Sequence, residues 1–522
     1  MKLDEFLHNL HFDIDKVSPS DWKVDWEDAP LSYKLYQGLP VVPFSLDVPL
    51  TLKESEVPIK PNLQRMGHFL WYIYGHTQFS QSVYTTDPAP DLMESYRRFV
   101  PSGGALYPNE LYVYLKLNDL PLGIYHYDVA HHRLVLLREG NFDSYLSRAL
   151  GNRCDLSTCF GTVFVSTMFW KNYYKYNNFS YRLQGLDTGV LMGQLLEVAK
   201  RFGFESGVYY QFLDQSINHL LGLSEHEESV YSIVPLSVEP TIWSTLCSDK
   251  EGTFSANELS QEITAIHPNH YVRSRRVKPF PMLTKMNESS MFESTESFRQ
   301  ISPHKYFIDN YEILPLPDIK RQLYDLASAC RQRFSPDVDF TMRNVSLHQL
   351  ATLLKEASES FSYRNDLDST FQKSVSRVSL YLCLYKVEGI PDGAYKYDSE
   401  AHALSQINPG DHRLKLQNSM TGSNVNLFQV PLCLDVVGEK DHLVRTMGYR
   451  GYRIQQMEAG MLVQRLLLTA SALGMGGHPL LGFKTQSSDE IYNIHSQEKT
   501  SLIQLPIGHY RDRPWLRGNL HS

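Results

Sequence analysis

Residues 97–117 read RRFVPSGGALYPNELYVYLKL. Pro101, Ser102, Gly103, Gly104, Ala105 and Tyr107, followed by Pro108, place one hydroxyl and several unobstructed backbone N–H groups in a short loop. Such a loop either punctuates the chain or leaves bare backbone for a ligand, because glycine has no Cβ to hold a ligand away. Gly474, Gly476 and Gly477, in GMGGHP, allow the same choice between a helix C-cap with its turn and a donor-rich ligand loop. Metal chemistry has less support. Cys154 and Cys159 stand at C-x4-C spacing without further ligands nearby, and the other cysteines are scattered. The histidines form no HExxH, and His8/His11 and His267/His270 lack matching ligands. Buried reduced thiols and no metal site are expected.

The loop leads into an alternation of Leu111, Val113, Leu115 and Leu117 with Glu110, Tyr112, Tyr114 and Lys116, which predicts a strand with one drier face. That strand is repeated. GIYHYDVAHHRL from Gly123 recurs as GAYKYDSEAHAL from Gly393, 270 residues on, each behind a strand pattern. YRLQGLDTGVLMGQLLEVAKRFG from Tyr181 recurs as YRIQQMEAGMLVQRLLLTASALG from Tyr452, 271 residues on. Both helix patterns carry small residues, Gly189 and Gly193 or Ala459 and Gly460, that let another backbone approach. The chain therefore reads as a tandem duplication of an α+β unit. The expected division is an extended arm over 1–60, a first domain over 61–240, a connector over 241–317 and a second domain over 318–522.

Length agrees, since 522 residues exceed one ordinary core at roughly 150 residues per domain. A net charge of -8 argues against nonspecific nucleic-acid binding, which needs a basic surface. The basic run Arg273, Arg275, Arg276 and Lys278 in the connector is read as a solvated face before an acidic-partner site. The N-terminal stretch lacks a signal-peptide pattern and no segment stays apolar for a bilayer's width, so a cytoplasmic protein with no membrane partner is expected.

Two further stretches complete a family resemblance. RQRFSPDVDFTMRNVSLHQLATLLKEA from Arg331 and ASALGMGGHPLLGF from Ala470 resemble the Arg-rich opening and late Gly-rich segment of flavin-dependent nitroreductases. PSGGALYPNELYV with KYNNFSYRLQGLDTG resembles the SagB-type peptide dehydrogenases, nitroreductase relatives that oxidise thiazolines and oxazolines in ribosomally made peptides. The resemblance implies two nitroreductase-like domains, FMN at the interface between them, an azoline-containing precursor peptide as substrate and a cyclodehydratase complex as partner. FMN contacts would come from Pro101, Ser102, Gly103, Gly104, Ala105 and Tyr107 on one side. On the other stand Gly474, Gly476 and Gly477, with Arg331, Arg333, Arg511 and Arg513 as candidates for the phosphate.

Each half lacks what the other keeps. Position 103 shifted by 270 falls on Lys373, and GMGG shifted back by 271 falls on GFES. The resemblance therefore implies an intrachain pseudodimer with one complete FMN site, and leaves open whether the fused chain dimerises again. It also implies that the Lys175-Tyr176 pair is catalytic; the matching positions of the second half are Thr446 and Met447. Azoline oxidation gives up one hydride, to the flavin, and one proton, to a base. Lysine titrates near ~10.4 and must be desolvated or placed near a cation to act as that base. The pair's separate roles stay open, and Phe169, Trp170, Tyr173 and Tyr174 either wall a substrate channel or pack a core. Two other functions compete: an NAD(P)H-dependent nitro or quinone reductase on the same fold, and a noncatalytic scaffold of a peptide-modifying complex.

Overall fold

In the computed structural model, residues 1–19, 21–54, 58–84, 91–241, 243, 252–301, 312–359, 362–368, 376–512 and 516–519 are described. Arg513, Lys373 and Cys247 lie outside them.

Two seven-stranded antiparallel sheets repeat one topology. In spatial order the first runs Val41–Pro43, Arg133–Glu139, Gly123–Asp128, Asn109–Leu115, Gly161–Met168, Glu228–Ser237 and Glu205–Ser206. The second runs Ile313–Pro315, Ala403–Pro409, Gly393–Asp398, Ser379–Leu384, Leu432–Glu439, Lys499–Gly508 and Gly476–Gly477. The strand pair read as a repeat is Gly123–Asp128 and Gly393–Asp398, and both carry a register shift between their second and third residues. The fold is mixed α+β with two tandem units, as the repeat predicts.

The sheets place the boundaries differently from the expected division. Val41–Pro43 and Ile313–Pro315 are edge strands of the two sheets, so the ends of the expected arm and connector belong to the domains. The arm is not extended throughout, because it begins with the helix Leu3–Phe12, whose Phe6, Leu7 and Leu10 are buried. The connector carries the helices Ala256–Gln261 and Pro281–Glu288.

Strand Asn109–Leu115 also differs from its prediction, since both its faces are buried. Its polar side is compensated: Glu110 pairs with Lys171 and with His126 at 2.8 Å, and Tyr112 donates to Glu228 at 2.9 Å. Buried polar groups persist where partners satisfy them.

The halves join along two long helices, Ser180–Phe202 and Tyr449–Ala472, buried almost end to end. A Cβ at Gly189 would stand 2.0 Å from the Met457 carbonyl oxygen, and one at Gly460 would stand 2.2 Å from that of Leu186. Only glycine permits this approach. Tyr181 and Tyr452, equivalent in the repeat, stack with centroids 5.5 Å apart. Gln464 donates to Gln194 at 2.9 Å in the same seam. Farther out, tail strand Leu516–Asn519 of the second half pairs with His76–Tyr84 of the first, which continues through Asp91–Arg98 into the glycine loop.

Candidate active site between the halves

Ser102 precedes a single 3-10 turn, Gly103–Ala105, closed by Ala105 N–H donating to the Ser102 carbonyl at 3.0 Å. Gly104 (φ 64), Ala105 (φ 58) and Tyr107 (φ 49) are left-handed, which two residues with side chains adopt only under constraint. The constraint is Asp187, inside the long helix. Its carboxylate accepts from Ser102 Oγ at 2.6 Å and from Gly103 N–H at 3.1 and 3.2 Å, while Tyr107 N–H donates back to Ser102 Oγ at 2.9 Å. Burial pushes the Asp187 carboxyl up to about 6, against the downward pull of these hydrogen bonds.

Lys175 and Tyr176 end the helix Trp170–Tyr176, which stops at Asn177 in a left-handed conformation (φ 49). Their heads lie over the glycine loop: a Cβ at Gly104 would stand 2.5 Å from Tyr176 Oη and 2.9 Å from Lys175 Nζ. Burial holds the Lys175 amine below its ordinary value and pushes the Tyr176 phenol up to about 12, with the Asp187 charge adding to the latter. Lys175 Nζ also lies 5.4 Å from the ring centre of Trp26, on the arm. Lowering the amine's pKa favours its neutral, proton-accepting form, while the phenol beside it keeps its proton and can donate a hydrogen bond.

The second half supplies the opposite wall. Arg97, just before the loop, donates to the Arg333 carbonyl at 2.5 Å and stands 6.0 Å from the Phe334 ring centre. Gly477 N–H donates to the Phe334 carbonyl at 3.2 Å, and a Cβ at Gly476 would meet Pro336 Cγ at 2.4 Å. The strand Gly476–Gly477 is thereby laid against the Arg-rich segment. Arg333 itself is buried; burial lowers its guanidinium, the Tyr107 phenol acts on it electrostatically, and its Nε has no partner among the described residues. Among the described residues a Cβ at Gly474 would meet nothing within 4 Å.

The other predicted arginines are placed differently. Arg331 donates to the Leu50 carbonyl at 2.6 Å, on the arm. Arg511 is exposed, with its backbone N–H on the Asp339 carbonyl at 3.0 Å. Phe169, Tyr173 and Tyr174 are buried, and Phe169 and Tyr173 pack against Phe280 of the connector. Sequence reasoning missed Asp187 and Arg97. A carboxylate in the long helix, repeated as Glu458 at the matching position 271 residues on, was the available signal for the first.

Glu458, the repeat equivalent of Asp187, has different partners. It accepts from Arg377 Nη2 at 2.5 Å and from Tyr363 Oη at 2.7 Å, and Arg377 donates onward to Asp368 at 2.6 Å. Tyr363 meets Tyr210 Oη at 2.8 Å, and all five residues are buried. The carboxylate that holds the glycine loop in one half thus holds an internal ion-pair cluster in the other.

Among the described residues no group of three or more His, Cys, Asp or Glu could hold a metal ion, and no helix is long and apolar enough to cross a membrane. Cys154 and Cys159 are free and buried.

The sequence profile described as the nitroreductase family matches residues 81–236 and 331–509, one region per half. MJ1384, a candidate nitroreductase of Methanocaldococcus jannaschii, is 27% identical over 133 residues, 25% of this chain and 64% of that protein. The trifolitoxin-processing protein TfxB of Rhizobium leguminosarum bv. trifolii is 30% identical over 148 residues, 27% of this chain and 39% of that protein. The chain thus spans less than two thirds of either relative. A crystal structure of a candidate nitroreductase from Anabaena variabilis superposes with a TM-score of 0.75 at 20% identity, covering 98% of this chain and 99% of that one. This last likeness is one of fold, and it extends over both halves.

Proposed function

The chain belongs to the nitroreductase family, and we propose that it is an FMN-dependent dehydrogenase converting thiazoline or oxazoline rings of a ribosomally synthesised peptide into thiazoles or oxazoles. The observation that carries this reading is the placement of Lys175 and Tyr176 over Gly104, at a loop that the Arg333 segment reaches from the other half. Similarity to a trifolitoxin-processing protein supports a peptide substrate.

The residues fit the cofactor. Arg333 offers a buried guanidinium whose Nε has no partner among the described residues, suited to a phosphate, and Gly474 borders space that no described atom fills within 4 Å. Bound there, FMN would supply the two-electron acceptor. The Glu458–Arg377 cluster in the symmetry-related position supports one such site per chain.

Within that site Lys175 Nζ, whose burial favours the neutral amine, takes the proton released from the azoline ring carbon. Tyr176 Oη, protonated across the working range, donates a hydrogen bond to the ring nitrogen and orients the ring. Asp187 touches neither. It fixes the loop through Ser102 and Gly103 and is a positioning residue. The azoline substrate has to be formed first by a cyclodehydratase, which is the partner this reading assigns.

Anaerobic addition of an azoline-containing peptide, without nicotinamide, tests the proposal. Bleaching of the flavin absorbance with appearance of the azole supports it. Bleaching by NAD(P)H alone, with the peptide inert, would replace it with a nitro or quinone reductase.

A further inference from the structure

The basic run of the connector has a placement that the reaction itself does not use. Residues 271–278, YVRSRRVK, contain four cations and no acid in a chain of net charge -8. Tyr271, Val272 and Val277 are about half exposed, and Arg273, Arg275, Arg276 and Lys278 are exposed. Only Arg276 forms an ion pair among the described residues, at 2.8 Å from Asp25.

This strip is fixed in place. Ser274 Oγ donates to the Asp28 carbonyl at 2.7 Å and accepts from Trp170 Nε1 at 3.0 Å, and the backbone N–H groups of Arg275 and Arg276 donate to the Asp28 carboxylate. Trp170 opens the helix that ends in Lys175 and Tyr176, so the strip rides on the helix that carries the proposed chemistry. Lys278 lies 4.1 Å from the ring centre of Trp22, whose Nε1 donates to the Tyr174 carbonyl at 3.1 Å.

The strip is also an edge. His270 bridges to Tyr36 in antiparallel sense, with Gln37 N–H on the Asn269 carbonyl at 2.9 Å and Tyr271 N–H on the Leu35 carbonyl at 2.8 Å. Those bonds use one side of the segment. The backbone groups of His270 and Val272 have no backbone partner among the described residues. A cavity of about 40 Å³ adjoins them, lined by Tyr33, Lys34, Trp170, Lys171, His270 and Val272 among others. An open edge, a pocket for a side chain and flanking charge are the elements by which an extended peptide is added as a strand.

We infer that residues 270–278 dock an extended, acidic segment of the substrate polypeptide, which pairs with the free edge and presents a remote azoline to Lys175. The inference rests on the reading of the substrate as a peptide. Charge complementarity decides the occupant: unpaired cations in an acidic protein select carboxylates and reject basic segments.

The test uses the full chain and a fluorescein-labelled synthetic peptide of alternating Glu and Val, with a Lys and Val peptide as control, followed by anisotropy. Wild-type protein is expected to bind the acidic peptide alone, less tightly at higher salt, and Arg273→Glu/Arg275→Glu to bind it at least about tenfold more weakly. The Arg273→Gln/Arg275→Gln variant should fall between, with bound FMN and turnover of a small azoline lacking any acidic segment unchanged. Equal binding of both peptides, or an affinity unchanged in the double variants, overturns the inference. So does binding to phosphatidylserine vesicles in place of the peptide. If the peptide data hold while the small azoline is inert with wild-type protein, the docking surface stands and the proposed reaction fails.

Discussion

Tyr176 Oη and the missing side chain of Gly104 compete for one position: a Cβ there would lie 2.5 Å from the phenol oxygen. Gly104 is also left-handed at φ 64. Gly104→Ala should therefore displace Tyr176 and Lys175 and cost about 1–2 kcal/mol of backbone strain. The expected outcome is a modest fall in Tm with a fall in kcat of at least about tenfold, since misplacing a reacting group by a fraction of an ångström is costly. Steady-state kinetics beside thermal melting separates the two effects.

Lys175→Ala should keep bound FMN and lose azole formation. In the wild type, kcat should rise with pH as the Lys175 amine loses its proton, with a midpoint below the ordinary amine value of ~10.4. The variant's residual rate should lack that limb. An unchanged pH profile in Lys175→Ala removes the assignment of the base.

Arg333 is buried, and among the described residues no carboxylate acts on it, so under the proposed reading its burial costs stability that a bound phosphate would offset. Arg333→Leu should leave the FMN-free protein as stable as wild type or more so. It should also abolish the rise in Tm that added FMN gives, because that rise is binding energy. Thermal melts with and without FMN show both.

Asp187 carries a raised pKa, pushed up to about 6 by burial from an ordinary value of 3.8. The folded state then holds its proton more tightly than the unfolded state, so this group's contribution to stability falls as pH rises from about 4 to 6 and stays lost above. The shift corresponds to on the order of 3 kcal/mol. Asp187→Asn should accordingly gain in Tm relative to wild type as pH goes from 4 to 7, a difference that cancels the other titrating groups.

Much of this architecture was legible in the chain. The offsets of 270 and 271 located equivalent strands and the paired helices, because a buried seam constrains both copies: Gly189 and Gly460 meet backbone directly. Edge strands were not legible. Val41–Pro43 and Ile313–Pro315 are three residues each and owe their conformation to the neighbouring strand, not to any periodicity of their own. The glycine loop and Lys175-Tyr176 were found by motif, whereas their contact depends on the long-range fold. Asp187 went unnoticed because its role appears only once the loop is laid against it. The second half's lack of the glycine loop was legible, but the Arg377–Glu458 pair was not.

In the proposed composite flavin site, Ser102 to Tyr107 come from the first half and Arg333 with the glycine strand from the second. Counting FMN released per chain, by absorbance after denaturation of the FMN-saturated protein, tests it most directly. One FMN per chain is the predicted result. Two per chain would mean that the site at Glu458 and Arg377 also binds flavin, and would contradict the account.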